Sequence, residues 1–128
     1  MSPELTESNR RIVLAFVDLL YSQRRVREAF ETYVAVDYIQ HNPNIADGRE
    51  AAILMLEPLF NGPGSSFDVK RVLVDGNLAA VHLHGRRSQA TPGGAVADLF
   101  RLDGGRIVEH WDVLQPIPTD CVNPHPMF

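Results

Sequence analysis

Residues 94–114 read "GAVADLFRLDGGRIVEHWDVL", and this stretch decides the fold. Two runs rich in aliphatic and aromatic residues flank Gly104-Gly105, which is the pattern of a β-hairpin closed by a tight turn. The stretch "SFDVKRVLVDGNLAAVHLHGRRS" has the same form around Asp75-Gly76. Residues 66–114 therefore predict about four strands that follow one another as antiparallel meanders.

The first half of the chain has the periodicity of helices instead. Apolar residues recur at helical spacing in "SPELTESNRRIVLAFVDLLYSQ", residues 2–23. A shorter helix is predicted for "VREAFETYV", residues 26–34, and a third for "GREAAILMLEPLF", residues 48–60, with Asp47 as its N-cap. Three helices followed by an antiparallel sheet define the α+β class.

The composition excludes several classes of protein. The 128 residues include 45% hydrophobic and 22% charged residues, a balance typical of soluble globular proteins. The net charge of −4, without a basic cluster, argues against nucleic-acid binding. No apolar run approaches the roughly 20 residues that cross a bilayer. The lone Cys121 cannot form an internal disulfide, and "MSPELTESNRR" lacks the apolar core of a signal peptide, so a cytoplasmic location is expected.

The last hairpin sorts its side chains onto two faces. With a two-residue loop at Gly104-Gly105, Asp98 lies opposite Trp111. One face then carries Asp98, Phe100, Leu102, Ile107, Glu109, Trp111 and Val113. This face is mostly apolar and is predicted to point inward, whereas His110 and Asp112 fall on a charged outer face. A one-residue change in the loop would break the assignment.

Two acids are conspicuous on the predicted inner face. A buried carboxylate has to be paired, protonated or in contact with a water-filled cavity, because its desolvation is costly. Desolvation also raises the pKa of a carboxyl group, which suits a general acid or base. Asp98 and Glu109 are therefore candidate site residues. The alternative is that each is held by hydrogen bonds in a purely structural role.

Histidines supply the other candidate groups. His82 and His84 occupy one face of a predicted strand, where they could flank a substrate as proton-transfer partners or face solvent. A metal site needs a third ligand, and the chain has neither an HExxH motif nor cysteine-rich spacing, so no metal is predicted. His110 is expected in a surface network with Arg101 and Asp112.

Residues 38–43 read "YIQHNP", a turn that could also border a binding site. Together with "DGREA", "DLFRLDGGRIVEHWDVLQPIP" and "NPHPMF", this segment resembles the SnoaL-like polyketide cyclase family of the nuclear transport factor 2-like superfamily. The similarity is greatest to a small bacterial branch of predicted SnoaL-like aldol-condensation proteins. Since the resemblance spans nearly the whole chain, it implies a single SnoaL-like domain over residues 1–128.

The resemblance implies a cone-shaped fold, in which three helices pack in a curved antiparallel sheet that encloses a pocket. It also implies a homodimer formed through the outer sheet face. In this family an aspartate on a strand acts as acid/base, assisted by a histidine and without metal or organic cofactor. The matching positions are Asp98 and His84, with His82 as the alternative histidine. Further pocket residues are expected at Tyr38, His41, Phe100, Glu109 and Trp111.

The resulting hypothesis is a cofactor-independent enzyme that removes a proton next to the carbonyl of a small compound, for an aldol-type cyclisation or an isomerisation. Two alternatives remain open. The pocket could hold a small hydrophobic ligand without catalysis, or the domain could serve as a structural dimerisation module. The C-terminal residues His125, Met127 and Phe128 are too apolar for a free tail and are expected to dock, at the pocket mouth or on a partner subunit.

Overall fold

The computed structural model describes residues 2–128. Its helices are α1 (Pro3–Val17), which continues as a π-helical turn (Asp18–Ser22), α2 (Val26–Tyr33) and α3 (Arg49–Phe60). Its strands are β1 (Val34–Gln40), β2 (Ser66–Asp75), β3 (Leu78–Arg86), β4 (Gly94–Asp103) and β5 (Arg106–Pro116). They form one five-stranded sheet in the order β1-β5-β4-β3-β2. The predicted α+β class is confirmed.

Helix α1 carries a tyrosine to the sheet. The helix begins at Ser2, whose Oγ accepts a hydrogen bond from the Leu5 N–H at 3.2 Å and caps the first turn. Its last turn widens into a π-helix, in which the Gln23 N–H donates to the Asp18 carbonyl at 2.9 Å. Such turns are frequent at functional sites. Tyr21 lies in this turn and is buried.

Strand β1 is absent from the prediction, and with it the sheet is mixed rather than antiparallel. Helix α2 ends at Tyr33, and the chain passes directly into β1, which runs parallel to β5. The register places Gln40 beside His110. Because a parallel pair joins segments far apart in the chain, nothing local in "VAVDYIQ" indicates this pairing.

The segment after β1 also differs from the prediction. Gly48, with φ 94°, precedes α3 at the N-cap position and makes no side-chain cap. The Asp47 carboxylate instead accepts a hydrogen bond from the backbone N–H of Gln40 at 2.7 Å. Asp47 therefore stabilises the end of β1 rather than the start of α3.

A β-bulge decides the orientation of β5. Leu102 pairs with Ile107 as predicted, but Arg101 pairs with Glu109, so Val108 is an extra residue. Beyond the bulge the alternation of side chains is reversed, and Asp98 lies opposite Asp112 rather than Trp111. The predicted faces are correct for β4, Arg106 and Ile107 and wrong for β5 from Glu109 onward.

The core lies between the helices and the inner face of the sheet. Phe16 of α1 contacts the rings of Phe30 and Phe100 edge-to-face, with centroids 5.5 and 5.6 Å away. At the other surface of the sheet, the C-terminal Phe128 stacks on His84 at 4.7 Å. The tail therefore docks on the outer sheet face of its own chain.

Among residues 2–128, no helix is long and apolar enough to cross a membrane.

Candidate active site

A buried aspartate–histidine pair lies under the helices. Asp98 on β4 and His110 on β5 are 3% and 7% exposed, and both point to the inner face. The His110 Nε2 lies 2.9 Å from the Asp98 Oδ1. The Tyr21 hydroxyl donates a hydrogen bond to the other carboxylate oxygen. The predicted burial of Asp98 is confirmed, with His110 as its partner.

The second ring nitrogen of His110 faces an acceptor. Its Nδ1 lies 2.8 Å from the side-chain oxygen of Gln40. An amide oxygen can only accept, so Nδ1 carries a hydrogen. A hydrogen bond over the 2.9 Å between the His110 Nε2 and Asp98 requires one further proton, which is carried by Nε2, as an imidazolium beside a carboxylate, or by Asp98, as a carboxylic acid beside a neutral imidazole.

Aromatic side chains enclose this pair. The Tyr38 ring lies over the His110 ring at 6.2 Å between centroids, and the Phe100 ring lies 5.0 Å away. Burial, and next the negative charge of Asp98, raise the pKa values of Tyr21 and Tyr38 well above 10. Both phenols are therefore neutral and can act as hydrogen-bond donors over the whole physiological pH range.

A second carboxylate borders the site. The Asp112 Oδ2 lies 4.0 Å from the His110 Nε2, and the Asn42 side-chain amide donates to both Asp112 oxygens at 3.0 and 2.9 Å. Asp112 is only partly buried, with 18% of its side chain exposed.

Three of these groups could together hold a divalent cation. Ligand atoms of Asp98, His110 and Asp112 lie within 4.8 Å of one another. Carboxylate oxygen and imidazole nitrogen are donors that several metals accept. The same atoms also hydrogen-bond to protein groups, so the arrangement does not require a metal ion.

The two histidines predicted on β3 lie on the other side of the sheet. Val81 pairs with Asp98 and faces inward with Leu83, so His82 and His84 point outward. The His84 Nε2 donates to the Pro92 carbonyl at 2.7 Å, and His82 contacts Arg71. The prediction that His84, or His82, partners Asp98 is therefore wrong.

Three further predicted pocket residues form an outer cluster. The His41 Nε2 lies 2.7 Å from the Glu109 carboxylate, which also accepts from the Arg101 Nε at 2.8 Å. The His41 ring stacks on Trp111 at 4.9 Å. Hydrogen bonds from His41 and then Arg101 lower the pKa of Glu109. The predicted inner placement of Glu109 and Trp111 is wrong because of the bulge, and His41 lies with them.

Sequence reasoning missed Tyr21, Gln40, His110 and Asp112 as site residues. Tyr21 follows the buried Val17 by four residues and so continues the apolar stripe of α1. A tyrosine in such a stripe carries a hydroxyl that needs a buried partner, and this signal could have found it. His110 and Asp112 were assigned to the outer face only because the bulge was not foreseen.

Two surface clefts lie away from this pair. One is on the outer sheet face and is lined by residues that include Leu73, Leu78 and Leu99. The other lies beneath the C-terminal tail and is lined by residues that include His84, Ile117 and Phe128. Asp98 lines neither cleft and is 3% exposed.

The model of the SnoaL-like domain family matches residues 13–110, which include Tyr21, Asp98 and His110. The chain belongs to this family. Among the curated proteins, none matches this SnoaL-like chain.

Solved structures of low sequence identity share the fold. An NTF2-like protein of unknown function from Mesorhizobium loti is 21% identical, with a TM-score of 0.75, and the match covers 90% of this chain and 97% of that one. A protein named provisionally as a ketosteroid isomerase, from Kribbella flavida, is 22% identical, with a TM-score of 0.71 and coverage of 94% and 84%. A protein named provisionally as a SnoaL-like polyketide cyclase, from Jannaschia sp., is 22% identical, with a TM-score of 0.65 and coverage of 89% of both chains.

Proposed function

We propose that this SnoaL-like protein is an acid/base enzyme that acts on a small carbonyl compound without a metal or organic cofactor. The observation that carries the proposal is the 2.9 Å contact between the His110 Nε2 and the Asp98 carboxylate in a buried, aromatic environment. Water is largely excluded there, so electrostatic interactions with a reacting group are stronger than at the surface. The provisional names of the Kribbella and Jannaschia proteins are consistent with such chemistry.

The first step would be removal of a proton from a carbon next to the carbonyl. The C–H bond breaks, the proton passes to an Asp98 oxygen, and the electron pair moves to the carbonyl oxygen to give an enolate. A neutral phenol would donate to that oxygen. Tyr38 is suited to this role because its oxygen already accepts from the Gln40 amide at 3.1 Å, which leaves its hydroxyl hydrogen to donate.

The enolate could react in two ways, and each returns the proton that Asp98 has taken. In an isomerisation, Asp98 returns the proton to a different carbon. In an aldol-type cyclisation, the enolate carbon attacks a second carbonyl, a carbon–carbon bond forms, and the new alkoxide takes the proton from Asp98. His110 can receive or return a proton through its Nε2, which lies beside Asp98.

An isotope-exchange experiment tests this without knowledge of the natural substrate. The protein is incubated in D₂O with a panel of small ketones, keto acids and enones, and deuterium at the α-carbon is followed by NMR. We expect Asp98→Asn to lower the exchange rate by about 100-fold or more. Glu109→Gln is the matched control, because it alters the outer acid–histidine contact and leaves the inner pair intact. Exchange by Asp98→Asn within a few-fold of wild type would contradict the proposal.

A second candidate is a ligand-binding protein without catalysis. It is favoured by the observation that both Asp98 oxygens already form hydrogen bonds within the chain, with Tyr21 and with His110. Incubation with a metabolite mixture followed by mass spectrometry separates the two candidates. Bound compounds that are recovered unchanged, together with no exchange on the panel, would favour binding alone.

We also propose that two copies associate through the outer sheet face. Leu73, Leu99 and Val113 expose 64%, 40% and 65% of their surface on strands of that face. Exposed apolar side chains that cluster in this way are typical of interfaces. Sedimentation velocity would give a dimer for the wild type and a monomer for Leu99→Lys, and a monomeric wild type would exclude the assembly.

A further inference from the structure

We propose that Gln40 is a positioning residue that keeps a hydrogen on the His110 Nδ1 and so directs Nε2 at Asp98. Its effect on turnover rests on the proposed function, but the hydrogen on Nδ1 does not. Gln40 does not contact Asp98 directly; it acts through His110, and its NH₂ group also donates to the Tyr38 hydroxyl.

The backbone places Gln40 beside His110. Gln40 is the last residue of β1 and pairs with His110 in the parallel register. The His41 N–H donates to the His110 carbonyl at 3.0 Å and closes this pairing. The Asp47 carboxylate accepts the Gln40 N–H at 2.7 Å from the opposite direction. Two hydrogen bonds therefore fix the backbone at the point where the Gln40 side chain begins.

The orientation of the Gln40 amide is also determined. Its oxygen accepts from the backbone N–H of Asn42 at 2.9 Å, and a backbone N–H can only donate. Its NH₂ group lies 3.1 Å from the Tyr38 hydroxyl oxygen. A rotation of the amide by 180° would bring its NH₂ group against the N–H of Asn42 and remove this bond. The amide oxygen, rather than the nitrogen, therefore faces His110.

This orientation keeps a hydrogen on the His110 Nδ1. With hydrogen on Nδ1, the ring donates to the Gln40 oxygen at 2.8 Å and presents Nε2 to Asp98. With hydrogen on Nε2 alone, the Nδ1 lone pair would face the oxygen lone pairs and the bond would be lost. A histidine that serves as a base needs its reactive nitrogen held in one place, and the hydrogen bond at the other nitrogen sets this.

NMR of protein labelled with ¹⁵N-histidine tests the assignment without any substrate. We expect the His110 Nδ1 to carry hydrogen in the wild type, in an imidazolium or in a neutral ring, and to lose it in part or in full in Gln40→Leu. Gln40→Glu is the matched variant, because a carboxylate oxygen can accept from both Nδ1 and the Asn42 N–H and so keeps that hydrogen. An Nδ1 that keeps its hydrogen in full in Gln40→Leu would overturn the proposal.

Two controls keep the result interpretable. If Gln40→Leu does not fold, Gln40→Glu decides alone, and hydrogen on Nε2 in place of Nδ1 there would overturn the proposal. In the isotope-exchange assay we expect Gln40→Leu to lower kcat by at least about tenfold with little change in KM. Exchange that survives Asp98→Asn would refute the proposed enzyme, whereas the tautomer measurement would stand.

Discussion

Two acid–histidine pairs lie on opposite faces of the same sheet. Asp98 and His110, 2.9 Å apart, have side chains that are 4% and 9% exposed. Glu109 and His41, 2.7 Å apart, have side chains that are 15% and 42% exposed. The residue types and the distances between the paired atoms are nearly the same, so only the environment distinguishes a candidate site from an ordinary surface contact.

The partners of each carboxylate show the same difference. Glu109 accepts from a guanidinium, so its charge is neutralised on a surface that water also reaches. Asp98 is held by a phenol and an imidazole among aromatic rings. Surface ion pairs contribute little to stability, whereas a buried group that loses its partner is strongly destabilising. Four mutations test how far this contrast holds.

The largest effect is expected from Asp98→Ala. Without the carboxylate, His110 loses its buried partner, Tyr21 loses its acceptor, and a small cavity remains. We expect the free energy of unfolding to fall by about 3–5 kcal/mol. Urea denaturation at pH 7 measures this, with Glu109→Ala as the control on the outer face. Equal losses in the two variants would remove the distinction between the faces.

A smaller loss is expected from Tyr21→Phe. The phenol donates to a buried acceptor that can be charged. We therefore expect the free energy of unfolding to fall by about 1.5–3 kcal/mol. The folded-state pKa of Tyr21 is raised above its ordinary value of 10.0, so its contribution is complete below pH 10 and declines as the pH rises further.

The wild type should therefore lose stability above pH 10 more steeply than Tyr21→Phe. Unfolding curves at pH 8 and 11 compare the two proteins. If both proteins lose the same stability between pH 8 and 11, the ionisation of Tyr21 does not contribute to the pH dependence. Tyr38→Phe is the second member of the comparison, because its pKa is raised in the same direction.

Phe128→Ala tests the outer face away from the acid–histidine cluster. The ring stacks on His84 and lies 5.3 Å from the Lys70 ammonium. We expect the free energy of unfolding to fall by about 0.5–1.5 kcal/mol. A double-mutant cycle with His84→Ala measures the contact directly. A coupling energy of zero would mean that the tail does not hold its place on β3.

The smallest effect is expected from Glu109→Gln and should depend on pH and salt. The folded-state pKa of Glu109 is lowered from 4.5, so the ionised carboxylate favours the folded state. The difference in stability between wild type and variant should be constant above about pH 5 and shrink below pH 4.5. Urea titrations from pH 3 to 7 at low and high salt check this. A stability difference that grows as the pH falls would contradict the lowered pKa of Glu109.

Much of the architecture was predictable because its signals are local. The apolar stripe of α1 and the Gly104-Gly105 turn are patterns within a few residues of one another. Asp98 could be placed on the inner face because it shares period two with Phe100 and Leu102 on the same strand. Strand β1 could not be predicted, since its partner on β5 lies about 70 residues away, as the contact between Gln40 and His110 shows.

The sequence by itself determined the α+β class, the hairpins and a buried aspartate at position 98, since each depends on periodicity along one segment. Tertiary structure decided which histidine meets that aspartate. The extra residue at Val108 turns His110 inward and Trp111 outward, and the parallel pairing of β1 brings Gln40 to the ring. A one-residue shift changes the face of every later side chain in a strand, so the site depends on a register that no short pattern specifies.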